Sequence, residues 1–193
     1  KDTLEALTKL GVVVKLNSKV TDYVDDTVYF ENGETIKTKN LIWAAGVTAK
    51  IFEGMPAESY GRGRRMATDA FNKVNATENI YAIGDTAILT ADKNFPDGHP
   101  QVAQVAIQQG INLAKNFKAS LQNKPLKPFI YNDKGSMAII GKNKAVVDLP
   151  NPKWHFKGFF AWFIWLFVHL ISLITYRNRL NTFYNWMVAY FAR

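Results

Sequence analysis

Thr77-Glu78-Asn79-Ile80-Tyr81-Ala82-Ile83-Gly84-Asp85-Thr86-Ala87 is the stretch on which the fold turns. Its centre, NIYAI (79–83), has no polar alternation, the pattern of a strand covered on both faces, as in a parallel sheet flanked by helices. Gly84 stops the run and removes a Cβ where backbone and ligand could approach closely. Asp85 then presents two acceptor oxygens at the carboxyl end of that strand, where ribose or ribitol hydroxyls could be held. Gly-Asp also ends many ordinary strands, so the weight rests on the order of turn, buried strand and acid.

Upstream, NLIWAA (40–45) repeats the pattern and is stopped by Gly46. The chain begins with a helix-like segment, Thr3 to Leu10, closed by Gly11. Four strand-like runs follow: VVVKL (12–16), VTDYV (20–24), TVYF (27–30) and TIKT (35–38), with Asp25-Asp26 and Asn32-Gly33 as turn signals. Downstream, apolar residues at 102, 105, 106, 113, 117 and 121 mark an amphipathic helix from Pro100 to about Leu121, with Pro100 in its first turn. Lys124-Pro125 and Lys127-Pro128 form a linker to two more strand-like runs, SMAIIG (136–141) and KAVVDL (144–149). Pro150 and Pro152 separate these from an aromatic tail. Helices alternating with strands give an α/β fold.

Composition narrows the chemistry. Among 193 residues there is no cysteine, which removes disulfides, thiolate metal sites, iron–sulfur clusters and dithiol redox pairs from this stretch. His99, His155 and His169 are scattered and suggest no metal centre. The chain opens at Lys1 in the middle of helix-like sequence, so it reads as a piece of a longer polypeptide. The net charge of +8 is shared equally between a long mixed part and a short purely basic tail. Residues 154–193 hold 14 of the 26 aromatics and four basic residues with no acid, a pattern that points to a membrane surface rather than to nucleic acid. Arg62, Arg64 and Arg65 form the densest basic cluster elsewhere; without an aromatic platform beside them they read as a solvated loop.

Within the tail, Gly158 to Thr175 is an 18-residue run with only His169, Ser172 and Thr175 polar, about 27 Å if helical throughout. A second, amphipathic segment follows, with Leu180, Phe183, Tyr184, Met187, Val188 and Phe191 at helical spacing. The expected arrangement is a helical hairpin embedded in one leaflet, with a single transmembrane span as the second reading.

TENIYAIGDTA (77–87) resembles the second flavin-binding motif of flavoprotein reductases built from two dinucleotide-binding domains. LIWAAGV (41–47) is similar to the element at which these proteins pass from the nicotinamide domain back to the flavin domain. AQVAIQ (103–108), the preceding HPQ (99–101) and the aromatic tail resemble type II NADH:quinone oxidoreductases, so the likeness covers roughly residues 4 to 193.

The resemblance implies the C-terminal part of an FAD/NAD flavoprotein followed by membrane-anchoring helices. Residues 1–45 would end the nicotinamide-binding domain, 46–152 would belong to the FAD-binding domain and 153–193 to the anchor. It further implies an enzyme of the respiratory chain in which NADH reduces FAD and FAD reduces a quinone, without proton pumping. The enzyme would be peripheral or monotopic on the cytoplasmic side of the cell membrane, in contact with lipid through residues 154–193, and compatible with a homodimer.

Asp85 would hold the ribityl chain, Gly84 and Ala87 would line the flavin approach, and Gly46 would border the nicotinamide side. Gln104 would face flavin and quinone, and Gln108 quinone. No side chain here would act as a nucleophile, because the cofactor carries the chemistry. Neither Gly-x-Gly-x-x-Gly loop of the family occurs in these residues, so the isolated chain is expected to be inactive. Two alternatives stand beside this reading: a non-catalytic membrane-attached binding module, and a related flavin reductase with a soluble acceptor.

Overall fold

The computed structural model describes residues 2–192, which form two compact units, 43–133 and the pair of segments 2–42 and 134–192.

In the two-segment unit, α1 (Asp2–Lys9) ends at Gly11, which takes φ +80° as a left-handed helix terminus requires. An antiparallel meander follows, β1 (Val20–Val24), β2 (Thr27–Phe30) and β3 (Thr35–Lys37), in that spatial order. Asp25 and Asp26 both carry positive φ in the first turn, the geometry that matches the twist of a two-residue hairpin. The run VVVKL (12–16), expected as a strand, is irregular. It pairs with no strand among the described residues, and Val13 and Leu16 are 84% and 71% exposed. Strand propensity without a partner leaves the backbone hydrogen bonds to water.

The second segment forms another antiparallel meander, β6 (Ser136–Gly141), β7 (Lys144–Pro150) and β8 (Lys153–Lys157). The two-stranded hairpin expected from the sequence thus gains a third strand, with Leu149 opposite Trp154 and Val147 opposite Phe156. One face of this sheet is covered by α3 (Gly158–Ser172), whose Ala161 is fully buried against Ala145 and Val147. α4 (Tyr176–Phe191) returns alongside α3, with Trp165 near Trp186 and Trp162 near Tyr190.

The hairpin expected from the sequence is therefore present, but the single-span reading is corrected. The apolar run breaks at Leu173, which is extended, and Thr175 caps α4 by accepting a hydrogen bond from the Asn178 N–H. α3 has 15 residues, and no helix among the described residues is long and apolar enough to cross a membrane.

In the unit Trp43–Asp133, the parallel pairing is made by β4 (Met66–Thr68) and β5 (Ala87–Leu89), followed by α2 (Ala103–Leu121). Neither buried-strand expectation is met. NLIWAA is irregular, with Ile42 90% and Trp43 63% exposed. NIYAI is extended but pairs only locally, through Lys73 opposite Tyr81 and the Val74 N–H on the Ile80 carbonyl. Of its residues only Ala82 is enclosed, in a small core with Met66, Val74 and Ala87. A continuous apolar run forms a buried strand only between neighbouring strands. A second core gathers Leu89, Val105, Phe129 and Tyr131 beneath α2.

Candidate functional site

Gly84, Asp85 and Thr86 form a single 3-10 turn between the extended segment 79–83 and β5. Gly84 takes φ +67°, and a Cβ added there would lie 3.0 Å from the Ala106 Cβ. Backbone conformation and the helix crossing over the turn therefore both demand glycine. The Gly84 N–H donates to the Gln109 Oε1 at 2.7 Å, and Gln109 is 2% exposed. Ala106 and Gln109 are three apart on one helix face, so α2 holds the turn by a close apolar contact and a buried hydrogen bond together.

Asp85 sits at the tip of this turn. Its backbone carbonyl accepts from the Gln101 Nε2 at 3.1 Å, while its carboxylate is exposed and has no hydrogen-bond partner among the described residues. A carboxylate fixed through its backbone, with its oxygens uncommitted, can accept hydroxyl groups from a bound molecule.

Beneath the turn lies Arg65, which burial removes from the solvated loop expected for the arginine cluster. Its Nε donates to the Ala87 carbonyl at 2.7 Å and its Nη2 to the His99 carbonyl at 3.1 Å. Burial pushes the guanidinium below its ordinary value, and the charge of Asp85 opposes that shift. Arg65 thus ties β5 to the residues that lead into α2.

His99 is 1% exposed, with its Nε2 3.0 Å from the Asp92 Oδ2 and its ring among Phe95, Phe129 and Tyr131. The hydrogen bond from His99 holds the Asp92 carboxyl below its ordinary value. Burial pushes the Tyr131 phenol up to about 12.

The other expected site residues are distributed as follows. Gln104 is half-buried on α2. Gln108 lies one turn further, and its amide is engaged at both ends by the Asn132 backbone, giving Nε2 to the carbonyl and accepting the N–H, each at 3.0 Å. Ala87 is enclosed in the small core, so its backbone rather than its methyl group belongs to the turn. Gly46 has φ +95° in an irregular segment, with nothing within 4 Å of an added Cβ.

Sequence reasoning missed Gln109, Arg65 and Gln101. For Gln109 a signal existed: Val105, Gln109 and Asn116 fall at helical spacing on the buried stripe of α2. For Arg65, adjacency to two other arginines in a glycine-rich loop pointed the wrong way.

The profile of the pyridine nucleotide-disulphide oxidoreductases matches residues 2–110, and that of the NDH2 C-terminal domain matches residues 134–193. The chain belongs to the pyridine nucleotide-disulphide oxidoreductase family. The second match, over residues 134–193, likens it to the type II NADH dehydrogenases.

Two curated relatives from Mycobacterium tuberculosis are the type II NADH:quinone oxidoreductases NdhA, 34% identical over 97% of this chain and 41% of its own length, and Ndh, 33% identical over 95% and 40%. The type II NADH:quinone oxidoreductase of Haemophilus influenzae is 33% identical over 77% of this chain and 33% of its own length. The structure of NDH2 from Plasmodium falciparum in complex with NADH shares the fold with a TM-score of 0.82, at 19% identity, over 98% of this chain and 54% of that one. The chain thus spans about two fifths of the length of the M. tuberculosis relatives. Although the family description speaks of disulphides, this member contains no cysteine, so no dithiol acts within these residues.

Proposed function

We propose that this chain forms part of a type II NADH:quinone oxidoreductase, supplying the ribityl side of an FAD site and an attachment to the membrane. The observation that carries the reading is the Gly84–Asp85 turn pressed against α2, with the Asp85 carboxylate exposed and uncommitted. The residues present fit that part of a flavin dinucleotide. The glycine lets α2 close on the turn and hold it in place, and the aspartate offers acceptors without donors to a chain of hydroxyl groups. When bound, FAD supplies the redox chemistry, taking electrons from NADH and passing them to a quinone without proton pumping.

This chain's residues bind and orient. Asp85 accepts ribityl hydroxyls, Gly84 lines the flavin approach through its backbone while its missing Cβ makes room for α2, and Ala87 supports the turn from below. Gln104 presents an amide from the first turns of α2, whose amino-terminal dipole favours negative charge on a neighbouring ligand. Gln108, through its two bonds to Asn132, shapes the wall on which a quinone rests. Gly46 borders the nicotinamide side. In this plan residues 1–45 close the nicotinamide-binding domain, residues 46–152 belong to the FAD-binding domain, and residues 153–193 attach the enzyme to the membrane. Attachment is peripheral or monotopic on the cytoplasmic side, by the α3–α4 hairpin lying in one leaflet.

The test uses an enzyme of the relatives' full length that contains this chain. It should purify with one flavin and oxidise NADH with a quinone, and removing residues 154–193 should lower turnover with a membrane-borne quinone more than with a soluble acceptor. Absence of flavin would leave the non-catalytic module, and equal turnover with both acceptors would leave a soluble-acceptor reductase.

A further inference from the structure

A cleft of about 720 Å³ opens between α3 and α4. Its walls include Phe163, Leu166 and Leu170 from α3 and Phe183, Trp186 and Met187 from α4. The volume falls within the roughly 300–1,000 Å³ of sites that hold small molecules. Several of these walls face outward: Phe163 is 55%, Phe183 51% and Met187 43% exposed. Aromatic surface of this extent is costly in water.

The two ends of the cleft differ. Lys142, in the β6–β7 turn, is the one charged residue lining it among the described residues, and its Nζ donates to the Tyr190 carbonyl at 3.0 Å while standing 4.4 Å from the centre of the Tyr190 ring. Trp162 marks the same end through its ring contact with Tyr190 at 5.6 Å. From Trp162 to Leu170 the cleft runs eight residues along α3, about 12 Å. One leaflet's hydrocarbon is about 15 Å deep, half of the ~30 Å core. Apolar length and depth therefore agree, and among the described lining residues the charge stands at the Lys142 end, Arg177 and Arg179 at the start of α4 lying outside the lining.

We propose that this cleft seats one acyl chain of an anionic phospholipid, with its headgroup at Lys142. The inference rests on the membrane reading above and adds a discrete site to it. Charge selects the occupant. The Tyr190 carbonyl takes one of the three ammonium donors, which leaves two for a phosphate. A neutral quinone accepts a hydrogen bond there but has no charge to pair with the cation. A second copy would bring an identical tail, with four basic residues and no acid in 154–193, against its own likeness.

The full chain, purified in detergent with equimolar phosphatidylglycerol and phosphatidylcholine, should retain one phosphatidylglycerol per chain in native mass spectrometry. Lys142→Ala should lower the preference for the anionic lipid about fivefold, the worth of one basic residue at an anionic surface. Leu166→Trp or, independently, Met187→Trp should fill the cleft and abolish retention. Vesicles with brominated phosphatidylglycerol chains should quench wild-type tryptophan fluorescence more strongly than brominated phosphatidylcholine at equal binding. No retained lipid, retention without headgroup preference, equal retention of decylubiquinone, or a dimer that closes the cleft would each overturn the seat. Vesicle flotation reads the membrane attachment separately. Flotation without one-to-one retention defeats the seat alone, whereas retention in micelles without flotation upholds the seat and defeats the attachment.

Discussion

The Gly84–Asp85 turn and the α3–α4 hairpin both depend on a helix laid against extended chain, yet they handle polarity in opposite ways. Around the turn, polar groups are enclosed and largely paired: Gln109, 2% exposed, accepts from the Gly84 N–H, His99, 1% exposed, is bonded through Nε2 but, among the described residues, not through Nδ1, and Arg65 is bonded to two carbonyls. In the hairpin only Ala161 is sealed, while Phe159, Phe160, Phe163 and Phe167 are each more than half exposed. Buried hydrogen bonds fix geometry, and exposed aromatic surface provides adhesion without fixing it. A cofactor site needs the first, and contact with a lipid surface needs the second.

Substitutions should separate the two regions. The largest effect belongs to Gly84→Ala, which combines a left-handed backbone with a collision against Ala106 and should lower stability by about 2–4 kcal/mol in denaturant unfolding. Gly46→Ala, where the backbone is also left-handed but space is open, should cost about 1 kcal/mol. Next, Arg65→Met leaves the Ala87 and His99 carbonyls without their donor inside the protein and should cost about 2 kcal/mol. Equal losses for Gly84→Ala and Gly46→Ala would break the claim that α2 presses on the turn.

In the hairpin, Phe163→Ser and Phe167→Ser should change stability by less than about 0.5 kcal/mol, as exposed positions do. They should nevertheless lower flotation with anionic vesicles. A large stability loss would show instead that these rings serve a core.

The smallest effect is a pH dependence in the two-segment unit, where Asp2 of α1 meets His155 and Lys157 of β8 at 2.9 and 3.0 Å. Bonds to Asp148 and then to Asp2 raise His155 above its ordinary 6.5. Its contribution is present below that value and lost as pH rises through the raised one. Bonds from Lys157 and then His155 lower Asp2 below its ordinary 3.8, so its contribution is present above that value and lost as pH falls through the lowered one. Protection of the α1 amides, taken relative to their intrinsic exchange rates at each pH, should therefore be greatest near pH 5 and smaller at pH 8, and His155→Gln should remove most of that difference in protection.

The elements that announce themselves locally were legible in the sequence. Gly11, Asp25-Asp26, Asn32-Gly33 and the α2 periodicity mark real boundaries because turns and caps are decided by neighbouring residues. The runs 12–16, 40–45 and 79–83 were misread because a strand is defined by its partner, which no local pattern contains. Asp85 and Gly84 could be singled out from their order in the chain. Gln109 lies on the legible buried stripe of α2 but its partner does not show, and Arg65 gave no signal, because each acts on residues 22 to 34 positions away.

The account's central claim is that the exposed Asp85 carboxylate grips a flavin's hydroxyl chain, and FAD titration of an enzyme of the relatives' full length carrying Asp85→Ala tests it most directly. Losing hydrogen bonds to a charged acceptor should weaken FAD binding at least about tenfold, with Asp85→Asn recovering part of the loss and thermal stability of the cofactor-free protein unchanged. FAD affinity equal to that of the unaltered enzyme would contradict the claim.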